Sequence, residues 1–133
     1  LRTIDNLSKF QRFLTLCAGR AGQILNMTDL SNAVGVDIKT IDAWIGVLEA
    51  SFIAYRLQPY AANISKRLTK MPKLYFYDTW ILCYLLNIRT ETELAASHFY
   101  GSIVENLVLG ELTKPVPGAS CPTCHLISRL TEL

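Results

Sequence analysis

Cysteine and histidine could hold a metal or a haem in this chain, and they come together in "CPTCH", residues 121–125. This spacing is that of a c-type haem attachment site and of half a zinc knuckle. A structural zinc takes four ligands, and Cys121, Cys124 and His125 supply three at most. Haem attachment requires an exported protein, and we see no export signal at the start of the sequence. We therefore expect two ordinary thiols in an irregular tail, and no cofactor or metal.

Two carboxylates lie on a predicted helix near the end of the chain. Glu105 and Glu111 are six residues apart, which places them about 240° apart around a helix, so they do not face one site. Each is expected to be a solvated carboxylate. The sequence also lacks a glycine-rich phosphate loop and a Ser/His/Asp set. We therefore expect no catalysis.

The positive charge of the chain is concentrated in one block. The net charge of +2 is too small to indicate a polyanion partner. Residues 51–73, however, contain five cations and no acid, whereas residues 1–50 are balanced and the remainder has more acids than bases. The cations of this block are Arg56, Lys66, Arg67, Lys70 and Lys73.

Two helices are predicted before this block, in the first quarter of the chain. Apolar residues spaced by three and four between Leu7 and Cys17 indicate a first helix, and "GRAG" at 19–22 ends it. Thr28 is expected to cap a short second helix, "DLSNAV", and Gly35 to form the turn that follows.

A third helix gives the clearest periodic signal. Asp37 is expected to cap it. Its apolar residues, spaced by three and four, are Ile38, Ile41, Ile45, Leu48 and Phe52. A short helix, a turn of about three residues and a longer amphipathic helix together predict a helix-turn-helix.

Two aromatic-rich stretches then predict a β-hairpin. "AYRLQPY" at 54–60 and "KLYFYD" at 73–78 read as strands, and a polar, cationic loop joins them. We therefore predict a mainly α fold: a winged helix-turn-helix with a small two-stranded wing, over residues 1–88, plus trailing helices.

The rest of the chain is predicted to trail this domain. Asp78 can cap a helix, "TWILCYLLNI", with a wide apolar surface. Residues 89–97 are polar and weakly patterned, which suits a connector. A last helix is predicted at 98–114, and two prolines with a glycine stop it before an irregular tail at 115–133.

The cationic wing beside a helix-turn-helix predicts a binding surface, with two alternatives. In a DNA-binding winged helix the third helix enters the major groove while wing cations contact phosphates. The third helix here also carries Asp37, Asp42 and Glu49, and acids that face phosphate weaken binding. We therefore favour a protein partner or a second copy over duplex DNA. The candidate residues for either partner are Lys39, Thr40, Arg56, Lys66, Arg67, Lys70 and Lys73.

An ordered series of short motifs carries a family resemblance. It runs from "FLTLCAGRAGQ" at 13–23 through "YFYDT" at 75–79 to "GSIVENLVLGEL" at 101–112. The series resembles the C-terminal domain of unknown function that follows the ATPase module in prokaryotic AAA-superfamily ATPases. In that family a restriction-nuclease-like fold follows the winged helix. The resemblance implies that residues 98–114 are the first helix of a truncated nuclease-like domain, and that the chain is a fragment.

The same resemblance implies roles for Glu105 and for the absent parts. Glu105 matches a glutamate that can assist a metal site, but the chain departs from the family pattern after Lys114, before the further carboxylates. We therefore expect no complete nuclease site and no enzyme activity. The expected function is a non-catalytic module of an ATP-binding parent protein, which docks on its own ATPase module or another protein. DNA binding is the alternative.

The cysteines and hydropathy also bear on location. Cys17 and Cys83 sit inside apolar helical patterns, which is typical of cytosolic thiols in a core rather than of disulfides. No apolar run reaches the roughly 18 residues that a membrane span needs. A cytoplasmic protein without membrane contact is expected.

Overall fold

The computed structural model describes residues 2–59, 63, 65 and 71–113. This part of the chain contains six helices and one two-stranded antiparallel sheet, which confirms the predicted winged helix with a small wing. The elements in chain order are α1 (Arg2–Gly19), α2 (Met27–Val34), α3 (Ile38–Ala50), β1 (Ala54–Leu57), β2 (Lys73–Phe76), α4 (Thr79–Leu85), α5 (Glu91–Ala96) and α6 (Tyr100–Thr113).

Local capping sets the helix-turn-helix. The side chain of Asn26 accepts a hydrogen bond from the Asp29 N–H and caps α2, so the prediction that Thr28 is the cap was wrong by two residues. Gly35 ends α2 with φ of 80°, a left-handed conformation that glycine adopts without a steric penalty. Asp37 caps α3 as predicted and accepts from the Thr40 N–H at 3.0 Å.

The core lies between α1, the helix-turn-helix and one face of the hairpin. The apolar residues predicted for the middle of α3 are buried, but Phe52 is 74% exposed because α3 ends before it, in a turn where its φ is 54°. The buried side chains of these elements include Phe13, Cys17, Leu30, Ile41, Ile45, Leu48, Ala54, Leu74 and Phe76.

The hairpin is paired on both edges of β2. β1 and β2 run in register from Ala54 opposite Phe76 to Leu57 opposite Lys73. The segment between α1 and α2 bonds to the other edge: the Gly22 N–H donates to the Leu74 carbonyl at 2.8 Å, and the Leu25 N–H donates to the Pro72 carbonyl at 2.8 Å. These bonds attach the wing to the helical core.

The trailing helices are more regular than the sequence predicted. Asp78 caps α4 as expected, with the Trp80 N–H donating to it at 2.8 Å. The stretch expected to be a plain connector, 89–97, contains α5, which a capping box between Thr90 and Glu93 begins. That residues 89–97 separate two domains stays a prediction.

Some predictions fall on residues that the structure does not describe. The loop cations Lys66, Arg67 and Lys70 and the tail at 115–133, with its "CPTCH" motif, lie outside the described residues. Among the helices that are described, none is both long and apolar enough to cross a membrane.

Candidate functional site

Lys39 and Thr40 lie in the first turn of α3. Lys39 is exposed to solvent. Thr40 donates hydrogen bonds from both its N–H and its hydroxyl to the Asp37 carboxylate. These bonds lower the pKa of Asp37, and the bond from the hydroxyl has the larger effect. The Thr40 hydroxyl therefore already serves the helix cap.

Arg56 on β1 is bound to two acids of α3. Its Nε donates to Glu49 Oε1 at 2.7 Å and its Nη2 donates to Glu49 Oε2 at 3.1 Å, so the ion pair is bidentate. Its Nη1 lies 2.9 Å from Asp42 Oδ1. The pKa of Arg56 is raised, chiefly by its hydrogen bonds to Glu49. Partial burial of the guanidinium opposes this rise, and the hydrogen bond to Asp42 adds to it. The guanidinium is therefore engaged within the chain and partly offsets the charge of Asp42 and Glu49, two of the three acids that argued against DNA.

Lys73 is joined to α6 through Glu105. Lys73 Nζ lies 3.3 Å from Glu105 Oε1, and the Tyr75 hydroxyl donates to the same oxygen at 2.6 Å. The Tyr75 bond, followed by the Lys73 contact, lowers the pKa of Glu105. Burial, and then the carboxylate, raise the pKa of Tyr75. Glu105 is exposed, as expected of a solvated carboxylate, and it also links α6 to β2.

Asn106 makes the second link between α6 and β2. This side chain is fully buried. Its Oδ1 accepts from the Phe76 N–H at 2.8 Å, and its Nδ2 donates to the Phe76 carbonyl at 3.0 Å. The amide therefore pairs with β2 as a neighbouring strand would. Sequence reasoning missed Asn106, although an amide between "IV" and "LVL" in "GSIVENLVLGEL" was a readable signal.

The predicted cations do not form one clamp among the described residues. Side chains alternate between the two faces of a strand, and directly paired residues share a face. Arg56 pairs with Leu74, which belongs to the core, whereas Lys73 is next to Leu74 along β2. Arg56 and Lys73 therefore point to opposite faces of the hairpin. Their binding role, with that of Lys66, Arg67 and Lys70, stays a prediction.

The outward side of α6 is apolar and open to solvent. Its inward side carries Ile103 and Asn106, both buried. Thr79, at the start of α4, lies 3.4 Å from Asn106 and so sets α4 against α6. Trp80, the next residue, is 78% exposed. We call the exposed apolar residues of these two helices the α4–α6 face; they are Trp80, Tyr84, Tyr100, Val104, Leu107 and Val108.

A helix that buries one side and still carries exposed apolar residues on other sides, as α6 does, is typical of a position between two packed layers. One layer, the hairpin, is present on the inward side of α6. Arg89, whose guanidinium carbon lies 4.5 Å from the centre of the Tyr84 ring, is a cation on α4's side of the face. No group of three or more metal-ligating side chains occurs among the described residues. Exposed apolar residues beside a cation are a surface that can bind another protein.

Comparison with known proteins gives a family and two relatives. The family described as a domain of unknown function, DUF8612, matches residues 1–92. An uncharacterized protein of Mycobacterium tuberculosis and one of Mycobacterium bovis are each 30% identical to this chain over 102 residues, which is 77% of the chain. The chain spans about a quarter, 23%, of the length of these curated relatives. No solved structure matches the chain.

Proposed function

This chain belongs to the family of the domain of unknown function DUF8612, and from its surfaces we propose that it is a non-catalytic winged-helix module that docks on another protein domain through the α4–α6 face. The observation that carries the proposal is the exposed apolar side of α6. Tyr100, Val104, Leu107 and Val108 follow one another at helical spacings on α6, and exposed apolar residues grouped in this way mark interaction sites.

The domain on which it docks is proposed to belong to the same longer polypeptide. The curated relatives are about four times as long as the matched segment, which is 23% of each, so they hold further chain that could cover α6. The resemblance to prokaryotic AAA-type ATPases suggests an ATP-binding module as that domain. In this proposal the winged helix couples the nucleotide-driven module to a partner, in the cytoplasm.

The hairpin supports protein docking over a phosphate clamp. A clamp needs cations that are free to meet phosphates, and both described cations of the hairpin hold carboxylates of their own chain. Each would have to exchange an ion pair at 2.7–3.3 Å for a phosphate. We therefore assign Arg56 and Lys73 to holding the fold together.

DNA binding is the second candidate, and exposed Lys39 favours it. The residue sits in the first turn of α3, where the reading helix of a winged helix meets DNA. The two candidates differ in salt dependence, because phosphate contacts release counterions and apolar docking does not.

A DNA titration tests the second candidate. We expect the fluorescence anisotropy of a labelled mixed-sequence duplex to be unchanged by this chain at about 50 mM salt. Binding that weakens steeply from about 50 to 200 mM salt, and that Lys39→Ala reduces, would establish the DNA alternative instead.

A dye experiment tests the docking face. The dye ANS binds exposed apolar surface, so it should bind this chain, and Leu107→Ser together with Val108→Ser should remove most of the signal without changing the melting temperature. Val47→Ser on α3 is the matched control, because Val47 and Val108 are both 51% exposed. Equal ANS signals from the wild type, the α6 variant and the control would overturn the proposal.

A further inference from the structure

The outer edge of β1 carries backbone groups that point away from the rest of the hairpin. In an antiparallel pair, every second residue bonds across the pair, and the residues between them point outward. The Tyr77 N–H donates to the Ile53 carbonyl at 3.1 Å, so this pair and every second pair after it are bonded across the hairpin. Ala54 and Arg56 lie between bonded pairs and therefore direct their N–H and carbonyl groups away from β2.

The two strands differ in what their outward groups meet. On β2, Leu74 bonds to the segment between α1 and α2, and Phe76 bonds to the Asn106 side chain, so both outward residues have partners. On β1, by contrast, nothing in the described part of the chain bonds to the N–H or the carbonyl of Arg56. Backbone groups in native proteins are nearly always paired with protein or with water. The outer edge of β1 is therefore open to a further strand.

The open part of this edge runs from Arg56 to Gln58. Ala54 is fully buried, so its outward groups are not accessible to a partner. Gln58 is exposed, and its backbone has no hydrogen-bond partner among the described residues. Because Pro59 follows, Gln58 favours an extended backbone and continues the line of β1. The edge thus offers two N–H groups and two carbonyls in an alternating row, and an extended polypeptide is the ligand that pairs with such a row.

Side chains on the two faces of β1 set the chemistry of a partner strand. Arg56 lies beside Asp42 and Glu49 of α3, and one cation against two acids leaves a charge of −1. The side chain of Asp42 is 55% exposed, so a cation from a partner can reach it. Tyr55 and Leu57, on the opposite face, are half-buried. Opposed residues of neighbouring strands share a face, so a partner strand fits with basic residues toward α3 and apolar residues toward Tyr55.

We propose that β1 receives, at its outer edge, an extended segment of a partner protein in which apolar and basic residues alternate. The segment bonds through its backbone to Arg56 and Gln58, and its side chains provide the specificity. A second copy of β1 fits this chemistry less well, because β1 has a single cation, which acids of its own chain already hold. The edge shares no residue with the α4–α6 face, so the inference goes beyond the proposed function and is independent of it.

Peptide binding tests the open edge. The probe is a fluorescein-labelled peptide of about seven residues in which valine and lysine alternate, because valine favours strands. We expect its fluorescence anisotropy to rise with this chain, with a Kd below about 1 mM. The same peptide with N-methyl groups on its central amides keeps every charge but loses those N–H donors, so it should bind about ten-fold more weakly. No binding of the first peptide, or equal binding of both, would overturn the proposal.

Two substitutions at Gln58 test the edge from the protein side. Gln58→Pro removes an N–H that has no partner in the described part of the chain, and Gln58→Ala keeps this N–H as the matched control. Gln58→Pro should weaken binding of the valine–lysine peptide about five-fold or more, and Gln58→Ala should bind it like the wild type. Melting temperatures show that both variants are folded. Equal affinities of the two folded variants would contradict the assigned edge.

The charge preference has its own variant. Asp42→Asn removes one of the two acids beside Arg56 and should weaken binding of the valine–lysine peptide several-fold. A peptide in which valine and glutamate alternate should bind the wild type more weakly than the lysine peptide does, because its charge has the wrong sign. A glutamate peptide that binds as tightly as the lysine peptide would overturn the stated chemistry of the partner.

Two further samples identify a different occupant or a different site. Dimerisation in sedimentation velocity that Gln58→Pro abolishes, without any peptide binding, would assign the edge to a second copy and overturn the proposal. The variant Leu107→Ser/Val108→Ser should bind the peptide like the wild type, and loss of binding there would move the site to α6. Its ANS signal tests the α4–α6 face separately, so failure of one surface is distinguishable from failure of the other.

Discussion

Asn106 shows how one side chain decides where a helix lies. Its amide bonds to both the N–H and the carbonyl of Phe76. Without Asn106, these two groups at the edge of β2 would lose their hydrogen-bond partner on α6. A buried polar group that loses its hydrogen bonds is destabilising by more than the bond itself contributes. Because Asn106 reaches across thirty residues of chain, sequence spacing alone could not reveal the pairing.

Replacing this amide should destabilise the fold. Asn106→Ala leaves the Phe76 N–H and carbonyl unpaired and should lower the free energy of unfolding by about 1–3 kcal/mol. Asn32→Ala is the control, because Asn32 is an exposed asparagine on α2, where such changes stay within about 0.5 kcal/mol. Urea unfolding of the two variants measures the difference. Equal midpoints would show that the Asn106 bonds do not stabilise the chain.

Glu105 should make part of the stability depend on pH. Its pKa is lower in the folded chain than its ordinary value of 4.5, chiefly because of the Tyr75 hydroxyl and then Lys73. The folded state therefore favours the ionised form, and this contribution is complete above the ordinary pKa and is lost as the pH falls through the folded one. Glu105→Gln should flatten the acid limb of the stability curve.

The measurement is urea unfolding at a series of pH values between about 6 and 3. Asp37 and Glu93 also have lowered pKa values, so the Glu105→Gln variant should keep part of the acid limb. Glu91→Gln, a change at an exposed glutamate, is the control and should follow the wild type. Parallel curves for Glu105→Gln and the wild type would contradict the assigned role of Glu105.

At the scale of the elements, the sequence predicted the helix caps that depend on side chains only a few residues away. Asp37 and Asp78 were recognised as caps because a capping side chain bonds within three residues of itself. The capping box of Thr90 and Glu93 was equally local, and it was overlooked because the stretch around it has no apolar period. The exposure of Phe52 was not predictable from spacing, since a helical period does not reveal where α3 stops.

Two glycines should respond oppositely to the same substitution. Gly35 has φ of 80°, and a Cβ added there meets no atom within 4 Å, so Gly35→Ala should be destabilising by about 1–2 kcal/mol through backbone strain alone. Gly46 lies inside α3 with the same open surroundings, so Gly46→Ala should be stabilising by roughly 0.5–1 kcal/mol. Thermal unfolding of both variants gives the signs, and a Gly35→Ala variant at least as stable as the wild type would contradict the assigned left-handed turn.

At the scale of the whole molecule, α6 closes the second side of the hairpin. The helix-turn-helix packs on the face of Leu74 and Phe76, and α6 contacts Tyr75, which is only 1% exposed. The hairpin is thus held between two layers, unlike a wing that projects freely into solvent. The match to the family ends at residue 92, before α6, although α6 is bonded to β2 at two places.

Truncation therefore tests whether α6 belongs to the winged helix. A chain of residues 1–97 loses buried Ile103, worth about 1.5–3 kcal/mol, and the pairing of Phe76, worth about 1–3 kcal/mol. We expect its free energy of unfolding to fall by roughly 3 kcal/mol or more below that of residues 1–113. The division implied by the family resemblance, with 98–114 beginning a separate domain, predicts equal stability for the two. Urea midpoints and slopes distinguish these outcomes, because the slope reports the surface that unfolding exposes.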